Sequence, residues 1–159
     1  MKRYNRMKFL YIQTKETGRF FRFAIVGSIG AVIDLVTLHL LADNGILPAV
    51  WAQGVSFVCA VFSNFMWNRL WTYPDSRSKT MSKQIIQFIV VSLIGLGIRT
   101  PIFDWLNKLF IKLAPGILPK KFFLTPAEVS LTIALAVVIV IVMIWNFFAN
   151  RYWTYNDVS

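Results

Sequence analysis

The chain has 159 residues, is 57% hydrophobic and 16% aromatic, and still carries a formal charge of +10. A soluble domain is nearer about 45–50% apolar, so the excess excludes disorder and calls for a solvent other than water. A single cysteine, Cys59, and a single histidine exclude a disulfide framework and an ordinary zinc site.

In chain order, a basic segment over residues 1–19 precedes four apolar stretches at about 20–42, 49–70, 85–107 and 127–149, and residues 156–159 form a short tail. At a rise of ~1.5 Å per residue, each stretch can cross a hydrocarbon core of ~30 Å. The expected fold class is therefore an all-α membrane protein with four transmembrane helices in two hairpins. The first stretch is too long for the apolar region of a signal peptide and has no A-x-A site before Asp43.

The charges set the expected orientation. Of the 17 Lys and Arg, 12 fall in the N-terminal segment and first span start, the connection between spans two and three, and the final segment. By the positive-inside rule these lie in the cytoplasm, with both termini. The loop over 43–48 has no Lys or Arg, whereas the second outer loop carries Lys108, Lys112, Lys120 and Lys121. A basic nucleic-acid surface is not required, because topology accounts for the charge.

After span three, Ile102, Phe103, Leu106, Leu109, Phe110 and Leu113 recur at helical spacing, with Asp104, Asn107, Lys108 and Lys112 between them. Pro101 is expected to kink the helix, so that an amphipathic segment lies in the outer interface until Ala114-Pro115-Gly116 ends it. Pro126 is placed in the first turn of span four.

The chain also repeats. Asn64-Phe-Met-Trp-Asn68-Arg69-Leu-Trp71-Thr72-Tyr73 returns as Asn146-Phe-Phe-Ala-Asn150-Arg151-Tyr-Trp153-Thr154-Tyr155, with seven of ten positions identical. Each copy ends an even-numbered span, which predicts parallel repeats of a helical hairpin. Setting Phe23 against Phe88 aligns Gly27 with Ser92, Gly30 with Gly95 and Asp34 with Arg99. Within each helix these positions share one face, where small residues permit close helix approach.

Asp34 and Arg99 would be charges inside the membrane, and such charges pair, face water or line a pathway. Either they lock helices one and three, or Arg99 receives an anionic head group in competition with Asp34. In the boxes, Asn64 and Asn68 lie one turn apart, as do Asn146 and Asn150, positioned to bond across to the other hairpin. Arg69 and Arg151 stand where phosphates are reached, and Arg22 is a basic anchor or a further phosphate contact. Trp71, Tyr73, Trp153 and Tyr155 are expected in the interfacial aromatic belt. A plain anchoring role explains the aromatics; the duplicated polar residues argue for more. His39 has no evident partner, and Gln53 and Glu128 are placed at the outer interface or a vestibule. No Walker loop, G-x-S-x-G or G-x-G-x-x-G is present, so no catalytic residue, metal or cofactor is nominated.

The opening Phe20-Phe21-Arg22-Phe23-Ala-Ile-Val-Gly27, the following Asp34 and the two boxes together resemble the GtrA-like family, over nearly all of residues 20–155. The resemblance implies a small four-helix protein of the inner membrane. Such proteins work beside membrane-associated glycosyltransferases that use polyprenyl-phosphate carriers for cell-surface polysaccharides. It carries over to Arg22, Asp34, Asn64, Asn68, Arg69, Asn146, Asn150 and Arg151, whereas Arg99 departs from the pattern. The expected function is a flippase or transporter of polyprenyl phosphate or its glycosylated form, without bond-making chemistry. A homodimer is a candidate assembly, because four helices make a thin wall for a sugar. The alternatives are a non-transporting anchor for a glycosyltransferase and, further off, a small-cation exporter using Asp34.

Overall fold

The computed structural model describes the backbone of residues 2–117 and 125–158 and the side chains of 14–113 and 125–158. Lys120 and Lys121, and the side chains of Lys2, Arg3, Arg6 and Lys8, lie outside the described residues. Among those described there is no strand: α1 (Lys2–Ala42), α2 (Ala49–Trp67), α3 (Met81–Ile117) and α4 (Pro126–Ala149) make up the fold. Each contains a stretch long and apolar enough to cross a membrane. Large apolar side chains such as Leu35, Val50, Phe62, Leu93 and Ile139 are exposed on all four. Lipid is the solvent that accommodates them, and helices satisfy their own backbone there.

The chain divides into two compact units: residues up to Phe88 together with Arg151–Ser159, and Ile89–Asn150. In the first, α1 buries Phe23 and Val26, and α2 buries Ala52, Ser56 and Ala60, four residues apart. Small side chains on one stripe let the two backbones approach, which is how helices associate without a hydrophobic driving force. Gly30 shows how close they come. A Cβ there would run into the Asn64 side-chain amide, so the glycine makes the space in which the amide rests. Phe65 packs edge-on against Phe88 at 5.8 Å. The turn after α1 closes through Gly45 at φ 66, a conformation open to glycine, and His39 meets Asp43 at 3.0 Å.

The second unit repeats this construction. Ser130, Ala134 and Val138 form a buried stripe on α4, and Leu106, Ile102, Phe103 and Phe110 of α3 pack about Ala134 and Val138. A Cβ at Gly95 would lie 3.0 Å from Asn146 Oδ1, the counterpart of the Gly30–Asn64 approach. The aligned glycines therefore do the same work in both halves.

The amphipathic stretch beyond Pro101 is helical, and α3 runs through the proline as one helix to Ile117 rather than ending at Ala114-Pro115-Gly116. Ile102, Phe103, Leu106 and Phe110 pack on α4, where the Asn107 carbonyl accepts from Ser130 Oγ at 2.8 Å, while Leu109 and Leu113 of the same stretch stay exposed. Pro126 does stand in the first turn of α4, behind a capping box in which Thr125 and Glu128 bond each other's backbone. Glu128 thus has a structural task.

Gly30→Ala is expected to destabilise the folded protein by about 1–3 kcal/mol, since a β-carbon must displace a buried amide. Gly27→Ala meets nothing within 4 Å and should be neutral or slightly stabilising. Thermal midpoints of both variants in detergent check this.

Candidate functional site

Both boxes begin on regular helix and widen into a π-helical turn, at Asn68–Thr72 and Asn150–Thr154. The asparagines stabilise the change of pitch. Asn68 Nδ2 donates to the Asn64 carbonyl at 2.9 Å, and Asn150 Nδ2 to the Asn146 carbonyl at 2.8 Å. These amide nitrogens each bond along their own helix. The same carbonyls also accept the backbone N–H of Asn68 and Asn150, so each side chain adds a second donor where the helix changes pitch. Asn68, Thr72, Tyr73 and their counterparts Asn150, Thr154 and Tyr155 are all buried.

The aromatic expectation divides. Trp71 and Trp153 are 38% and 44% exposed, as interfacial residues would be, but Tyr73 and Tyr155 are 0% exposed. The tyrosine rings stack face to face, 4.3 Å apart at 16°. Each tyrosine follows the last residue of the widened turn, two places on from the tryptophan, and there it faces in while the tryptophan faces out. Burial raises both phenols above their ordinary value, keeping them neutral.

Around the stack lies a charge network that the boxes do not announce. Arg19 is only 3% exposed and donates to Glu16 at 2.6 Å and to Asp75 at 2.7 Å, with its guanidinium 5.7 Å from the centre of the Tyr73 ring. Glu16 in turn accepts from Arg151, whose Nε and Nη2 reach its two carboxylate oxygens at 2.9 and 3.0 Å. Lys15 adds a looser contact to Asp75 at 3.4 Å. Burial works to raise Asp75, yet its own backbone N–H, Arg19 and Lys15 hold the carboxyl below its ordinary range.

A second cluster fastens the final segment to the loop before α3. Asp157 accepts from the Ser76 hydroxyl, from the Ser78 hydroxyl at 2.8 Å and from the Ser78 backbone at 3.0 Å. Lys79 donates to the carbonyls of Trp153 and Thr154 at 2.6 and 3.1 Å, and buried Gln84 donates to Ser76. Burial tends to raise Asp157, but the hydrogen bonds from Ser76 and Ser78 outweigh it and lower the carboxyl.

The remaining candidates separate. Arg22 is exposed and caps the first box, donating to the Trp71 carbonyl at 3.2 Å with its guanidinium 5.8 Å from the Trp71 ring. Asp34 is half-buried on α1 in the first unit, with Oδ1 unpartnered among the described residues; Arg99 is exposed on α3 in the second. Oδ1 of Asn64, Asn68 and Asn146, Nη1 of Arg69, Oγ1 of Thr72 and both tyrosine hydroxyls are likewise shielded and unpartnered among the described residues. The network residues Glu16, Arg19, Asp75, Asp157 and Gln84 were not singled out from sequence. One signal was present: an aspartate stands two residues beyond the tyrosine of each box, at 75 and 157.

Comparison with known proteins identifies relatives. The family model described as "GtrA/DPMS, transmembrane domain" matches residues 22–155. A Bacillus subtilis membrane protein, YngA, is 28% identical over 138 residues, covering 86% of this chain and 78% of that protein. A dolichol-phosphate mannosyltransferase of Pyrococcus furiosus is 30% identical over 80 residues, which is 50% of this chain but 22% of the enzyme. The chain thus corresponds to a minor part of that enzyme's length.

The Asp157 cluster has a defined pH response. Its carboxyl is lowered on folding, so its contribution is fully present above the ordinary carboxylate value of about 3.9 and is lost as pH falls through the lowered value. Asp157→Asn is expected to reduce amide-exchange protection of residues 76–84 at neutral pH. It should also flatten the loss of protection that the wild type shows on acidification. Hydrogen exchange across that range measures both.

Proposed function

The chain belongs to the GtrA/DPMS transmembrane-domain family, and we propose that it binds polyprenyl phosphate, or its glycosylated form, and carries the head group across the membrane without bond-making chemistry. The observation that carries this reading is the construction of the boxes. An aromatic anchor needs rings at the interface, which Trp71 and Trp153 supply. It does not need Asn68 and Thr72 buried with unpartnered oxygens beside Arg69, an arrangement that is costly unless a polar ligand visits it.

In this reading Arg69 and the polar atoms around it meet the phosphate, because the guanidinium fork suits an oxyanion. Asp34 is the next polar station along α1 for the head group, and the prenyl tail stays in lipid along the exposed apolar faces. The box end lies in the cytoplasm by the distribution of Lys and Arg. The relative named as a dolichol-phosphate mannosyltransferase supports a polyprenyl-phosphate substrate class, and a membrane-associated glycosyltransferase is the proposed partner. A second reading, an anchor that only recruits such an enzyme, is favoured by the exposed Trp71, Tyr152 and Trp153.

Reconstitution separates the two. Proteoliposomes carrying a short-chain polyprenyl-phosphate sugar are expected to move it between leaflets faster than protein-free liposomes, read by a membrane-impermeant oxidant of the sugar. Equal rates, with retained capture of a polyprenyl-phosphate glycosyltransferase, would establish the anchor instead.

A further inference from the structure

The two boxes match in sequence and backbone but not in charge. Arg151 already holds a carboxylate in its fork, because Glu16 meets Nε and Nη2. Extending backward the register that sets Phe88 against Phe23 places Gln84 against Arg19 and Met81 against Glu16. Burial follows this register: Arg19 and Gln84, Phe23 and Phe88, and Val26 and Val91 are buried in pairs. The second half therefore carries a thioether where the first carries its acid. By repeat equivalence, the arginine left without an internal anion is Arg69.

The surroundings of Arg69 agree. Its Nη1 is shielded from solvent and finds no hydrogen-bond partner, and no carboxylate lies within ion-pair distance of it among the described residues. A half-buried guanidinium in that state is unfavourable until an anion arrives. Tyr155 is fully buried, and its hydroxyl is also unpartnered. Tyr155 reaches the end of the first box through its stack on Tyr73, 4.3 Å between ring centres. Burial and Tyr73 raise its phenol, and the positive charge of Arg69 works against them.

We propose that the chain holds one phosphate oxyanion, at Arg69 with the Tyr155 hydroxyl as a second donor, and that Arg151 is not a second copy of the site because Glu16 supplies its anion. The lipid nature of the ligand rests on the function proposed above; the one-sided site rests on the residues just described. Glu16 on Arg151 is the internal likeness of the ligand, a bidentate oxyanion in an arginine fork.

Native mass spectrometry of the full chain in nanodiscs, titrated with polyprenyl phosphate in one arm and inorganic phosphate in another, tests this. One lipid per chain is expected. Arg69→Ala should weaken binding by about tenfold or more, Arg69→Lys less, and Tyr155→Phe by about fivefold with an unchanged thermal midpoint. Glu16→Gln with Arg151→Gln removes both members of the pair, while Arg19 keeps Asp75 and the side-chain amide oxygen of Glu16→Gln as acceptors. This double variant should bind within about twofold of wild type, as should Tyr73→Phe. Two lipids per chain, or a double variant as impaired as Arg69→Ala, would overturn the one-sided site. Binding of inorganic phosphate alone, lost in Arg69→Ala, would keep the site and remove the lipid; binding of neither would remove both.

Discussion

A guanidinium that is almost wholly buried must find its counter-charge inside the protein, and Arg19 is the point from which the first unit is organised. Its two carboxylates come from different places, Glu16 one turn back on α1 and Asp75 in the connection after α2. Satisfying Arg19 therefore fixes where that connection crosses α1. It also places Glu16 so that its remaining capacity goes to Arg151, which draws in the final segment. An exposed ion pair adds about 0–1 kcal/mol, but withdrawing an acid from a buried arginine leaves a charge that lipid and protein cannot solvate. Loop position, end-segment position and the state of one box arginine all follow from one buried cation.

The duplicated half shows which parts of the design are steric and which are electrostatic. The steric parts are kept: a glycine facing an asparagine amide, a stripe of small residues four apart, and a π turn over the box. The electrostatic parts are rewritten, with Gln84 in place of Arg19 and Met81 in place of Glu16. Packing geometry that brings backbones together tolerates little change. Charges at the rim can be exchanged for neutral groups while neighbours such as Ser76 take up the hydrogen bonds.

Much of this was legible in the residues. Length and apolarity set the four helices, the box repeat set the two hairpins, and the alignment of Gly30 with Gly95 anticipated a shared packing role. The limits have physical causes. The tyrosines look like interfacial aromatics because composition alone does not report rotation about a helix, and a residue two places from an exposed tryptophan faces inward. Pro101 looks like a break because proline removes one backbone bond, yet the apolar face beyond it has a partner in α4 that repays the loss. Glu16 was passed over because a lone acid in a basic segment gives no hint that its partner is residue 151.

The two π turns also record an order of events. A π turn holds one more residue than the α turn it replaces, and it survives where that change of phase is useful. Here both copies carry it at the same five places of the box, Asn68–Thr72 and Asn150–Thr154. Had it arisen after the hairpin was duplicated, it would have had to arise twice at one spot. The economical history is that a single ancestral hairpin already contained the widened turn before it was duplicated within one chain. The duplicated chain then gained a freedom the ancestor lacked, since its two copies could change separately.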